Sequence, residues 1–122
     1  MVKNMKIVSV AVLFSIALMA TCVYSVKALL FIENDVFSQG QYSWCWAYVS
    51  GWWDIDKRMV YLVYHNSDNY VPPWPGWGYW YEENPPNGGS AHSAYTHIFV
   101  GYLYGGIIYI DSEAWAQIPY GP

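Results

Sequence analysis

Histidine, cysteine, serine and carboxylate side chains are where chemistry would reside in this chain, and it has few of them. Its three histidines are His65, His92 and His97, the last two within GGSAHSAYTHIFVG, residues 88 to 101. Imidazole titrates near neutral pH and is the commonest metal ligand, so a close pair would suggest a metal or proton-transfer site. His92 and His97 are five positions apart. On a strand that odd interval sends them to opposite faces; on a helix it turns the chain by about 500°. Neither geometry puts both rings on one metal, so no metal site is expected, and an approach by His65 across strands is left open. Ser90 and Ser93 lie near His92 without the glycine-framed elbow of a hydrolase nucleophile. Glu82 and Glu83 are adjacent, whereas glycoside hydrolysis needs two carboxylates across the scissile bond. Cys45, between Trp44 and Trp46, has the setting of a small buried side chain. No catalytic residue and no cofactor follow from these groups, and the chain reads as non-enzymatic.

The aromatic residues say more. Eight Trp and thirteen Tyr in 122 residues favour extended, half-buried pleated surfaces over helices. WPGWGYWY places Trp74, Trp77, Tyr79 and Trp80 in a segment framed by prolines. Trp and Tyr present flat apolar faces with a polar edge and lose little entropy on ordering. Sugar rings stack on such faces and protein partners use them as anchors. These four are therefore candidate ligand contacts, with a self-packed cap over the core as the competing reading.

Those residues need positioning elements. MVKNMK precedes an uncharged apolar run, Ile7 to Val26, the pattern of a secretory signal peptide over residues 1–28. An uncleaved anchor is the alternative, since about 18 apolar residues can span a bilayer. Either way the domain, residues 29–122, is expected outside the cell, with membrane contact only through residues 7–26 if they are retained. Lipidation at Cys22 is disfavoured because Thr21 stands where a small Gly or Ala is usual. Beyond residue 28 only Lys57 and Arg58 oppose nine Asp and Glu. Nucleic-acid binding, which depends on cations neutralising phosphates, is excluded as a function, and attraction to anionic lipid is disfavoured. Cys45 alone remains in the exported part, so no intramolecular disulfide forms there, although a link between two chains is open to it.

Within the domain, LLFIENDVFSQGQ reads as a lead-in with a turn near Ser38 to Gly40. YSWCWAYVSGWW and RMVYLVYH read as strands joined by a turn at Asp54 to Lys57. In the second strand, alternation puts Val60, Leu62 and Tyr64 on one face and Met59, Tyr61, Val63 and His65 on the other. Residues 66–90, with five of the seven prolines, read as a long loop in which only GYWYEE could be a strand. AYTHIFVGYLYGGIIYID reads as a hairpin turning at Gly105-Gly106. SEAWAQIPYG reads as a short strand or one helical turn. The expected fold is all-β, a single small antiparallel β-sandwich of two sheets behind the export segment.

The order of short motifs, WAY at 46–48, YH at 64–65, HSA at 92–94 and WA at 115–116 behind an export signal, resembles the lactococcin 972 type of secreted bacteriocin. The resemblance implies a small secreted β-sandwich that inhibits other bacteria by engaging the wall precursor lipid II and blocking septum formation. It adds His92, in the HSA motif, to the four aromatic candidates. The expected partner is a cell-envelope precursor or glycan. An extracellular structural or adhesive protein, homo-oligomeric through exposed aromatic strands, is the alternative.

Overall fold

A computed structural model describes residues 28–120. The expected export segment, up to residue 27, and Cys22 lie outside them. Six strands run in the order β1 Leu30–Gln39, β2 Trp44–Asp54, β3 Met59–Tyr70, β4 Trp77–Asn84, β5 Ala94–Tyr104 and β6 Ile107–Ile118. Each sheet is an antiparallel three-stranded meander, β1-β2-β3 and β4-β5-β6, and the two pack face to face with no helix among the described residues. The all-β sandwich follows from alternation: Cys45, Ala47 and Val49 of β2 face Ile98 and Val100 of β5 and Ala114, Ala116 and Ile118 of β6 across a dry interior. Every fully buried hydrophobic residue described lies between Cys45 and Ile118, so residues 28–120 enclose their own core.

Three expectations change. The lead-in is a complete strand, because Ile32, Asn34 and Val36 turn inward while Glu33, Asp35 and Phe37 turn out. The 66–90 loop is largely sheet. β3 continues to Tyr70 by pairing Asn66 to Tyr70 with Tyr48 to Trp44, and β4 pairs throughout with β5. Asn, Ser and Asp read as turn formers in isolation, but a long neighbouring strand supplies their backbone with partners and leaves their side chains in water. The irregular parts are residues 71–76 and 85–93. Third, simple alternation fails along β3. A register shift between Ser50 and Trp52 leaves an extra residue on β3, with Leu62 at φ 51°. Val60, Val63 and His65 therefore all face inward, while Leu62 and Tyr64 face out.

The two poles of the sandwich are closed differently. At one, the segment after β4 crosses to the free edge of β3: Val60 and Ala91 exchange backbone hydrogen bonds, Val63 N–H donates to Gly89 O and Gly88 N–H to Val63 O. His65 locks this strap, with Nε2 2.5 Å from Pro85 O and Nδ1 2.6 Å from the Thr96 hydroxyl of the other sheet. At the other pole an extra residue in β6, Asp111, sits between Ile110, paired with Gly101, and Ser112, paired with Val100. Its carboxylate accepts hydrogen bonds from Gln41 N–H, Tyr42 N–H and the Ser43 hydroxyl, tying the β1–β2 turn to β6. Burial works to raise its pKa, but these donors outweigh it and hold the carboxyl below its ordinary value. Beyond Asp111 the β5–β6 hairpin continues to Gly105 and Gly106, at φ 60° and 77°, as the paired glycines predict.

Candidate functional site

The predicted contact residues do not form one site. Trp74 and Trp77 join Tyr42, Tyr102 and Tyr109 in a chain of rings 5.1–6.0 Å apart at the Asp111 pole. That is the self-packed cap, although Trp74 keeps half of its surface exposed. Tyr79 is exposed on the edge strand β4. His92 precedes β5 at the opposite pole, exposed, with Nδ1 2.8 Å from Arg58 O. Trp80 lines an open cleft.

That site is the outer face of the β4-β5-β6 sheet. Antiparallel register lays out three cross-strand rows, Trp80–Phe99–Glu113, Glu82–His97–Trp115 and Asn84–Tyr95–Gln117, each with its β5 residue in the middle. Directly opposed residues in neighbouring strands lie close enough for their side chains to touch. Trp80 and Phe99 stack 5.0 Å apart at 14°, near-parallel rings that each cover one face of the other. Tyr95 and Trp115 stack at 4.8 Å, and Trp115 lies 4.4 Å from the His97 ring. Trp80, Tyr81, Glu82, His97 and Phe99 line an open cleft of about 280 Å³.

His97 stands between two carboxylates. Nδ1 is 2.9 Å from Glu82 Oε1, and Nε2 is 3.5 Å from Glu113 Oε2. The second approach is too poorly aligned for a hydrogen bond, so buried Nε2 has no hydrogen-bond partner. Either protonation state of His97 leaves this trio net negative. Burial, with the hydrogen bond to Glu83 and its charge, pushes the Tyr81 phenol well above its ordinary pKa, so it stays a neutral hydroxyl donating to Glu83. The chemistry on offer is a stacking surface, two carboxylate acceptors and an under-used imidazole nitrogen.

The outer face of β1-β2-β3 is also aromatic, yet its polar edges are already engaged. Trp46 Nε1–H donates to Asp35, and the Tyr48 hydroxyl donates to Glu33 Oε2 at 2.6 Å. Cys45 is fully buried between the sheets with its thiol directed at Ile98 O. Burial pushes its pKa up, so in the folded chain it is an inert core residue, closed to a link between chains. Among the described residues no cluster of three or more His, Cys, Asp or Glu is arranged to hold a metal.

The sequence weighs His97 only against His92 and gives no signal for Glu113. Both answer to strand register, which pairs Glu82 with His97 and sets Glu113, opposite Phe99, diagonal to His97. The interval from His92 carried no signal, because the partners of His97 are on neighbouring strands. Comparison with protein-family models, curated proteins and solved structures returns no match, so the cleft must be interpreted from its own chemistry.

Proposed function

We propose that this chain is an exported, non-enzymatic antibacterial protein that binds a glycan-bearing component of the cell envelope, of the kind represented by lipid II. The observation that carries the reading is the Trp80–Phe99 ring stack beside His97 and its two flanking carboxylates, Glu82 and Glu113. A sugar ring offers an apolar face to the outer side of that stack and hydroxyl donors to the carboxylates beside it. The net negative trio suits neutral hydroxyls or an ammonium group and repels phosphate. The disaccharide and amine-bearing peptide of a wall precursor are therefore the parts recognised, and the pyrophosphate is not. The motif order shared with lactococcin 972-type bacteriocins supports an inhibitory outcome.

The test is calorimetric titration of residues 28–120 with the soluble disaccharide-peptide of a wall precursor, alongside growth inhibition of related bacteria. Binding weakened about tenfold by Trp80→Ala or Glu82→Gln is the expected result. Absence of both binding and inhibition rejects the proposal. Surface self-assembly is the second reading, favoured by Phe37, Tyr64 and Tyr70, which stand exposed on the outer face of the first sheet. Oligomers that grow with concentration in light scattering, without glycan binding, would select it.

A further inference from the structure

The β5–β6 hairpin projects past the sandwich with apolar residues on both of its faces. Leu103, Ile108 and Ile110 lie on one face; Tyr104, Ile107 and Tyr109 lie on the other. All six are 42–74% exposed. The run from Ile98 to Ile110 contains no charged residue, and neither do residues 36–53 and 69–81, which meet it at this pole. Lys57 and Arg58, the cations among the described residues, sit in the β2–β3 turn at the opposite end. The exposed apolar residues at that end, Leu29, Leu30, Phe31, Trp52 and Ile55 among them, share it with the charges of Asp54, Asp56, Lys57 and Arg58.

From this geometry we infer that the hairpin tip inserts into the outer leaflet of a membrane with neutral, zwitterionic headgroups. A flat partner, a second copy included, covers one face of a two-stranded ribbon, whereas a lipid phase surrounds both. The tip extends three residues past the Tyr102–Tyr109 pair, about 10 Å at strand rise. One leaflet's hydrocarbon is about 15 Å deep, so the tip enters without crossing. Behind it stand Tyr42, Trp74, Trp77 and Tyr102, rings of the type that concentrate at the headgroup level. Leu103 N–H is satisfied by Gly76 O, which removes one exposed donor from the edge of the inserting strand. The missing cations make neutral headgroups the matching surface and anionic ones a poorer one. This contact is separate from the cleft and additional to residues 7–26.

The test uses residues 28–120, which enclose their own core, with Ile108→Cys carrying an environment-sensitive dye; buried Cys45 escapes labelling. Phosphatidylcholine vesicles should shift the dye emission to the blue, and lipids spin-labelled on the acyl chain should quench it. The same dye on Lys57→Cys should respond to neither. Ile107→Asp with Ile108→Asp, in a protein whose near-ultraviolet circular dichroism is native, should lower vesicle partitioning at least tenfold, and adding phosphatidylglycerol should lower that of the unaltered domain. A dye at position 108 that stays water-exposed on vesicles overturns the inference. So does shielding that appears without lipid and grows with protein concentration, which would identify a second copy as the occupant. Because these readouts involve no glycan, failure of the cleft to bind sugar leaves them unaffected.

Discussion

The two poles of this sandwich solve the same problem, how to end a pair of sheets, by opposite means. At the strap pole, backbone groups of residues 88–91 complete the hydrogen bonding of β3, and a buried histidine joins three segments. Ordered backbone covers that edge, leaving fewer free groups for another strand to add to. At the hairpin pole one carboxylate gathers the β1–β2 turn, five rings pack together, and two strands run on into open space. An end covered by its own backbone needs nothing further. An end that exposes apolar side chains on both faces has surface to bury, and that is where an outside partner gains most.

Substitutions probe the contrast in order of their expected effects. Gly101→Ala should be the most disruptive, because the new Cβ would lie 2.1 Å from Tyr109 O, a backbone atom that cannot swing aside. A loss of about 3 kcal/mol in urea denaturation is expected, with disordered β5–β6 pairing at the hairpin pole. At the strap pole His65→Ala should cost about 2.5 kcal/mol by leaving a void and removing the partner of Pro85 O. Amide exchange at Val60, Val63 and Gly88 should accelerate in that variant while the hairpin amides stay unchanged.

Asp111→Ala should cost about 1.5 kcal/mol through its three lost hydrogen bonds, seen as a lower urea midpoint at neutral pH. Its carboxyl titrates lower in the folded chain than in the unfolded one. Its contribution is therefore present above the ordinary carboxylate value and is lost as pH falls through the folded value. The gap between wild type and Asp111→Ala should accordingly close on acidification below about pH 4. The smallest change belongs to Leu62→Gly. Leu62 is two-thirds exposed at φ 51°, so relief of a left-handed conformation offsets the greater freedom of glycine. Its thermal midpoint should correspond to a shift within about 0.5 kcal/mol of wild type.

Local sequence patterns sufficed where one strand and its turn decide the outcome. The aromatic and β-branched runs marked β2, the start of β3, and β5, and the glycine pair at 105–106 marked the hairpin, since only positive φ satisfies that turn. The all-β sandwich was legible because these runs carry the alternation that buries one face. Composition also established the acidity of the domain and the scarcity of cations beyond residue 28.

What tertiary structure alone decided are the facts that depend on register. One extra residue at Leu62 reversed the facing of Val63 and His65, which no count along an isolated strand reveals. Pairing with β2 carried β3 through Asn66 to Asn69, residues that by themselves favour turns. The proline-framed aromatics were divided between a cap and an open face according to strand parity and which sheet lay behind each ring. The cleft of Trp80, Glu82, His97 and Phe99, with Glu113 beside it, exists because strands from separate stretches lie about 5 Å apart, a proximity written in hydrogen-bond register rather than in sequence interval.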